Sequence, residues 1–202
     1  MQRSVFHGAR RRGLIDAKPT AAVDGTGFES RHTSRHYARR QNTPRYLWRR
    51  YIQLTVACHT ASHLWAGAEV QLGPANESEQ FTGVMDQAAA RVRWARVLGD
   101  AAFDAERHHQ QCRDDYGIRS TVIPLNRRRT GRKWPRSKYR RQMRKRFFKR
   151  VYGQRWQAES AFSRHKRLLG DALRSRSLAA WERECDLRVL THNLMILAAT
   201  GP

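Results

Sequence analysis

Short apolar runs alternate with helical patterns along most of this chain, and their order limits the folds that it can adopt. The runs cover residues 20–23, 51–58, 64–72, 95–98 and 120–125. Their β-branched and aromatic content favours strands, and the short polar gap between the second and third runs predicts a hairpin. Helical spacing follows the third and fourth runs. This order predicts an α/β sheet that opens with a hairpin and continues through helical crossovers.

The charge of the chain points to an acidic partner. Its 202 residues suit one domain, and they carry 40 Lys plus Arg against 17 Asp plus Glu, a formal net charge of +23. Of the basic residues 34 are Arg, whose planar fork binds phosphate bidentately. We therefore expect a nucleic acid rather than a membrane surface as the partner.

Several classes of protein are excluded. No apolar run approaches the roughly 20 residues that span a bilayer, and no stretch of signal-peptide length follows the first basic residues. The three cysteines, Cys58, Cys112 and Cys185, are odd in number and widely spaced, which argues against a disulfide framework or a CxxC zinc site. Structural use is also favoured for Cys58 with its neighbours His59 and His63. We expect a protein of the reducing cytosol with no membrane partner.

The composition divides the chain into a short basic segment over residues 1–16, either a tail or a remnant of a longer region, and one domain over 17–202. Within that domain, 14 of the 24 residues in 127–150 are Arg or Lys, and no acid occurs from 116 to 158. A solvated segment and a nucleic-acid surface are equally good interpretations of 127–138.

Two helices are predicted in the C-terminal part of the chain. Apolar residues at helical spacing predict one long helix over 139–169 with a basic outer face. A second helix is predicted over 178–199, with an apolar stripe formed by Leu187, Leu190, Leu194 and Leu197.

Three carboxylates stand out in so basic a chain. Asp24 and Asp100 follow apolar runs, and Glu159 ends the acid-free stretch. We expect the surrounding cations to lower their pKa values and keep them ionised. Ionised carboxylates are the ligands of Mg²⁺ or Mn²⁺, and three that converge could hold two ions about 3.5 to 4 Å apart. A single Asp at the end of a strand is more often the cap of a helix or turn.

A regular spacing surrounds Glu159. Tyr152, Arg155, Glu159 and Lys166 are separated by two, three and six residues. Together with Phe162 they fall three or four positions apart and share one face of a helix. The simpler interpretation of this set is an exposed helix face with local ion pairs.

This spacing resembles the Y-(2)-R-(3)-E-(6)-K motif of the DDE transposases of bacterial insertion sequences, in the insertion-sequence four/five superfamily. Residues 22–26 look like the family's first-Asp strand, 97–104 look like its second, and 188–194 are similar to its terminal helix. The resemblance spans about 18–199. Asp104 competes with Asp100 for the second position; Asp100 is preferred because it directly follows a buried run, with Asp104 as a cap of the next helix.

The resemblance implies a ribonuclease-H-like mixed sheet flanked by helices, with a long basic C-terminal helical region. It implies that Asp24, Asp100 and Glu159 are catalytic and bind two Mg²⁺ (or Mn²⁺) ions. Arg155 and Lys166 would then contact the DNA backbone, and Tyr152 would support a terminal phosphate. Further DNA contacts are expected from the basic segment, at Arg127, Arg128, Arg129, Arg132, Lys133, Arg140, Arg144 and Lys145.

The implied activity is DNA transposition, in which water attack cuts a phosphodiester and the freed 3′-hydroxyl joins target DNA. The expected partners are transposon ends, target DNA and a second copy of the chain bound at those ends, in the nucleoid of a bacterial cytoplasm. Only 23 residues precede Asp24, whereas family members usually carry a helical region there, so we expect a truncated N-terminus. The alternative is an inactive relic that only binds nucleic acid through its Arg-rich surface. A ribosomal-type RNA-binding protein is more distant, because it would not require the three acids.

Overall fold

A mixed sheet forms the centre of the molecule. We describe it from a computed structural model that covers residues 1–30, 51–73, 75–126, 134–175 and 177–201. Its strands are β1 (Thr20–Ser30), β2 (Tyr51–His59), β3 (Trp65–Gly73), β4 (Arg96–Gly99), β5 (Ser120–Val122) and β6 (Ala172–Leu173). The order is β3-β2-β1-β4-β5, with β1, β2 and β3 antiparallel, β4 and β5 parallel to β1, and β6 beside the end of β1. The predicted α/β architecture is confirmed.

Helices cover both faces of this sheet. They are α1 (Gln2–Arg11), α2 (Phe81–Arg91), α3 (Glu106–Gln110), α4 (Lys138–Lys145), α5 (Lys149–Tyr152), α6 (Trp156–Leu169) and α7 (Leu178–Ala199). Short 3-10 turns span Glu77–Glu79, Ala101–Phe103 and Gly153–Arg155, and a π-helical turn follows α3 over Gln111–Asp115.

Alternation along β1 divides the core into two clusters. Ala21 and Val23 pack with α1 and α2 on one face, whereas Ala22 and Phe28 pack with α6 and α7 on the other. Successive side chains of a strand point to opposite faces, so Asp24 lies on the same face as Ala22. The strand register therefore turns Asp24 towards α6.

The first residues of the chain differ from their prediction. The sequence predicts a basic tail over 1–16, but the structure has a helix there whose Val5, Phe6 and Ala9 are buried in the first cluster. These three positions lie on one side of α1 because successive members are one and three positions apart along the helix. The basic side chains face outward. The sequence analysis missed this period because it is so short.

The long helix predicted over 139–169 is interrupted. Arg146 is extended, with φ −141° and ψ 101°, and α5 begins only at Lys149. Tyr139 and Met143 are buried on α4, near α3, whereas Phe147 turns into the second cluster. A single straight helix could not direct Tyr139 and Met143 towards α3 and also direct Phe147 into the second cluster. The break between α4 and α5 allows both.

The helix predicted over 178–199 is present, but only half of its predicted stripe packs on the core: Leu190 and Leu197 are partly buried against the first cluster, and the other two leucines are exposed. Leu187 is 61% exposed and Leu194 is 48% exposed, whereas Val189 and Ile196 are buried. Asn193 explains this orientation: its side chain accepts from the Trp65 N–H (2.8 Å) and donates to the Trp65 carbonyl (3.0 Å), which turns a polar residue towards β3.

Candidate active site

Two candidate carboxylates lie on neighbouring strands of the sheet, Asp24 within β1 and Asp100 directly after β4. The strand that the sequence predicts to end before Asp24 continues to Ser30. In the parallel pair of β1 and β4, Val23 is level with Gly99, so the residues that follow them, Asp24 and Asp100, lie side by side. Asp100 directly follows β4, and its Oδ1 accepts the Ala102 N–H at 2.7 Å, which caps the 3-10 turn. Its charge acts on Asp24 and opposes ionisation of that carboxyl. Asp100 therefore both caps the 3-10 turn and lies beside Asp24.

Asp24 is a buried carboxylate with two defined partners. It is 8% exposed; its Oδ1 accepts the Gly25 N–H at 3.0 Å and its Oδ2 accepts from Arg155 Nη1 at 2.9 Å. Burial raises the pKa of Asp24 to about 6, and Arg155 and the Gly25 amide lower it only in part. The prediction that neighbouring cations would lower this pKa was wrong, because desolvation dominates at Asp24.

Arg155 joins Asp24 to Glu159. Its Nη2 donates to Glu159 Oε1 at 2.6 Å while its Nη1 holds Asp24, so one guanidinium binds two carboxylates. Burial acts against the charge of Arg155, but Asp24 and Glu159 more than offset it and raise its pKa. The Glu159 side chain lies in the first turn of α6 and is 58% exposed. The predicted helix face is thus directed at Asp24 within β1.

Lys166 and Tyr152 occupy the two ends of the same face. The Lys166 ammonium donates to the Gly27 carbonyl at 2.9 Å and lies 5.4 Å from the centroid of the Phe28 ring. Tyr152 is half-buried, with its ring 5.1 Å from that of Phe147. The 3-10 turn and α6 therefore place two cations, Arg155 and Lys166, and one acid, Glu159, along β1.

Asp104, the rival for the second acid position, is engaged elsewhere. It is buried and binds Arg140 through both carboxylate oxygens, at 2.7 and 2.8 Å, and it also accepts the Asn126 N–H at 2.8 Å. It does not cap α3, since that helix begins after Ala105 with no side-chain cap, so the predicted capping role was wrong. Asp104 instead fastens the basic helix α4 to the domain.

The predicted DNA contacts have different environments. Arg140 is paired with Asp104, whereas Arg144 and Lys145 are exposed, and Arg144 lies 5.5 Å from the centroid of the Trp134 ring. The others, Arg127, Arg128, Arg129, Arg132 and Lys133, lie outside the described residues.

One acid near the site was missed by the sequence analysis. Glu77 Oε1 accepts from Gln53 Nε2 at 2.6 Å, and a Cβ added to Gly25 would lie 2.9 Å from the same oxygen. Burial raises the pKa of Glu77, and the charge of Asp100 adds to that rise. The small residue after Asp24 therefore leaves room for this carboxylate. Glu77 lies in a polar stretch before α2 with no apolar run to mark it, and the glycine is the only sequence signal.

The donor chemistry of the site fits a hard divalent cation. Asp24, Asp100 and Glu159 offer carboxylate oxygens, the donors that Mg²⁺ and Mn²⁺ prefer. A cationic group, the Arg155 guanidinium, already lies between two of them. Among the described residues, no three His, Cys, Asp or Glu side chains are arranged so that they could hold a metal ion together. The three carboxylates are thus suitable metal ligands, but in this structure two of them are bridged by the Arg155 guanidinium.

A mixed sheet flanked by helices, with two acids on adjacent strands and a third on a packed helix, defines a ribonuclease-H-like fold of the transposase type. The family model for the transposase DDE domain matches residues 16–194. The chain therefore belongs to the DDE transposase family, whose members act on DNA and generally use divalent metal ions. Among curated proteins, no sequence matches this chain. None of the helices in the described ranges is long and apolar enough to cross a membrane.

Proposed function

We propose that this protein cleaves and joins DNA strands during transposition, as a member of the insertion-sequence four/five superfamily with the Tyr-Arg-Glu-Lys motif. One observation carries the proposal: Arg155 holds Asp24 and Glu159 together beside Asp100, although Arg155 and Asp24 are 131 residues apart in sequence. Ion pairs on an ordinary exposed helix face would not reach a buried strand residue.

Each residue of the site has a role in this proposal. Asp24, Asp100 and Glu159 would hold two Mg²⁺ or Mn²⁺ ions, which when bound supply an activated water or 3′-hydroxyl and stabilise the leaving oxygen. Arg155, Lys166 and Tyr152 would position the DNA backbone and a terminal phosphate next to them. Residues 17–202 would form the catalytic domain.

The basic region extends this surface. From Trp134 to Arg150 the chain carries no acid, and most of its cations are exposed. We assign this region, with Arg144 and Lys145, to contacts with the phosphate backbone. Arg140 would contribute through its hold on Asp104 rather than by a free contact. A homodimer at paired DNA ends, in the bacterial nucleoid, completes the proposal.

Nicking of supercoiled plasmid tests the proposal. Purified protein should nick DNA with Mg²⁺ or Mn²⁺, and Asp24→Asn, Asp100→Asn and Glu159→Gln should each lower the rate at least about 100-fold, since even outer-shell partners of a metal cost about 10 to 100-fold. Glu182→Gln, an exposed acid on α7, is the matched control and should nick normally. Nicking that survives all three substitutions would refute the assignment.

A second function is favoured by one observation, namely that a guanidinium bridges the two acids in the structure. An inactive relic would bind DNA without cutting it under any metal. Its binding would weaken steeply with salt, by about 10³ to 10⁵ from low to moderate salt for six to ten phosphate contacts. The two functions share this salt dependence and differ in the nicking assay alone.

A further inference from the structure

Arg155 occupies the space between two candidate metal ligands, and its contacts suggest more than a DNA contact. We propose that Arg155 is an internal counter-cation, which pairs with the carboxylates until a DNA phosphate draws it away and leaves them to a divalent metal. The inference rests on the proposed function, and it adds that DNA and metal bind cooperatively through this side chain.

The geometry of the guanidinium supports this role. Its two terminal nitrogens donate to different carboxylates, Nη1 to Asp24 Oδ2 at 2.9 Å and Nη2 to Glu159 Oε1 at 2.6 Å. A metal bound by the same two residues would have to approach the same carboxylates, each of which already has one oxygen bound to the guanidinium. A doubly charged ion beside the guanidinium would also be repelled at this distance. Arg155 and the metal therefore compete for one place.

Burial explains why a cation is needed when no metal is bound. The Asp24 side chain is only 12% exposed, and an ionised carboxylate that is buried without a partner is strongly destabilising. Arg155 supplies the missing charge and lies at the edge of the site, with its own side chain 21% exposed. Lys166, the next cation on the face, instead donates to the Gly27 carbonyl.

An arginine also suits the next step, in which the guanidinium leaves the carboxylates and binds a DNA phosphate. Its planar fork binds phosphate as readily as carboxylate, and its charge is permanent. Glu159 is 58% exposed, so a phosphate can approach the guanidinium from the solvent side. Transfer of Arg155 to a phosphate would free oxygens of both acids at the moment when the substrate arrives. By linkage, metal must then tighten DNA binding by the same factor by which DNA tightens metal binding.

Mn²⁺ binding, measured from the electron paramagnetic resonance signal of the free ion, tests the proposal. The full chain is titrated with and without a short DNA duplex, and the Mn²⁺ bound by the duplex alone is subtracted. The variants are Arg155→Gln, Arg155→Lys and Arg167→Gln; Arg167 is exposed on the same helix and matches the charge change.

The expected result is a pattern over the variants. Without DNA, Arg155→Gln should bind Mn²⁺ about tenfold or more tightly than wild type, whereas Arg167→Gln should match wild type. DNA should tighten Mn²⁺ binding by at least about fivefold in wild type and Arg167→Gln, within the usual range of coupling between sites. It should do so by less than about twofold in Arg155→Gln. Arg155→Lys keeps the charge but loses the fork, and should fall between the two.

Two results would overturn the inference: equal or weaker Mn²⁺ binding by Arg155→Gln, or an equal effect of DNA in that variant and in wild type. If Arg155→Gln does not fold, Mn²⁺ binding by Arg155→Lys, with and without DNA, is compared with that of wild type instead. Failure of the proposed function looks different. In that case neither wild type nor the Arg155 variants bind Mn²⁺, and Asp24→Asn changes nothing.

Discussion

At the scale of single residues, Glu184 shows how one carboxylate fixes the entry into a helix. It accepts the backbone N–H groups of Arg174 (3.1 Å) and Ser175 (2.9 Å), and it pairs with Arg188 at 3.0 Å. Partial burial opposes its charge, but the hydrogen bonds from Ser175, Arg174 and Arg188 outweigh it and lower the pKa of Glu184 to about 2. The segment that precedes α7 is thus tied to the helix by an ionised group.

Glu184→Gln should therefore lower the free energy of unfolding by about 1 to 3 kcal/mol at pH 7, because a neutral amide accepts these bonds more weakly. A carboxyl whose folded pKa is depressed stabilises the protein above its unfolded pKa, and that stabilisation is lost as the pH falls towards the folded value. The difference between wild type and variant in urea unfolding should narrow from about pH 4.5 towards pH 2. Glu182→Gln, exposed on the same helix, should unfold like wild type; a difference that is independent of pH would contradict this account.

The acids of the site show what can be predicted from sequence at this scale. Spacing after apolar runs picked out Asp24 and Asp100, and the four-residue motif picked out Glu159. The direction of the Asp24 pKa and the bridge through Arg155 could not be predicted, because both depend on burial between β1 and α6. Glu77 was missed for the same reason, since only the fold brings it to Gly25.

At the scale of elements, the packing of β3 on α2 depends on one glycine. A Cβ on Gly67 would lie 2.1 Å from the backbone carbonyl oxygen of Val84, which cannot move without shifting the helix. On α1, by contrast, a Cβ on Gly8 meets nothing closer than 4.0 Å. Substitution by alanine should therefore have opposite effects on stability at these two glycines.

Gly67→Ala should destabilise the protein by about 3 kcal/mol or more, at the upper end of the cost of overpacking, because backbone rather than a side chain is in the way. Gly8→Ala should stabilise it by about 0.5 to 1 kcal/mol, since alanine loses less entropy than glycine within a helix. Thermal and urea unfolding of both variants measure these effects. A Gly67→Ala protein as stable as wild type would show that α2 does not approach β3 so closely.

Element types were more predictable than the directions that they face. The succession of strands and helices along the chain and the bounds of α7 follow from period and composition, which are local properties of the chain. The break after α4 and the exposure of Leu187 do not, because they depend on what each helix packs against. The helix α1 was missed because its apolar period spans only a single turn and a half among basic residues.

At the scale of the whole molecule, buried histidines make stability depend on pH. Burial lowers the pKa of His165 to about 3 and those of His109 and His192 to about 4. Neither ring nitrogen of His165 has a hydrogen-bond partner among the described residues. These rings are neutral in the folded protein and take up protons on unfolding.

The folded state should therefore lose stability as the pH falls below about 6.5, the unfolded value for histidine. Each of the three rings contributes up to about 1.4 kcal/mol per pH unit. His165→Phe should reduce that slope by one such contribution, which urea unfolding at several pH values from 7 to 5 measures. An unchanged slope in the variant would mean that His165 is accessible to protons in the folded state.

The distribution of charge belongs to the same scale. A net charge of +23 indicates a polyanionic partner, and the sequence itself places the basic segment from Trp134 to Arg150 directly before the helix that carries Glu159. The sequence could not predict how this segment is anchored, because Asp104 and Glu106 contact it from a distant part of the chain.

If Asp24, Asp100 and Glu159 form one metal-dependent site, the loss of Glu159 alone must abolish most of the nicking activity. Glu159 is 58% exposed, so the variant should fold, and without metal it should bind duplex DNA at least as tightly as wild type does. The account predicts that wild type nicks plasmid with Mg²⁺ or Mn²⁺ and that Glu159→Gln does so at least about 100-fold more slowly. Equal nicking by the two proteins, with equal DNA binding, would contradict it.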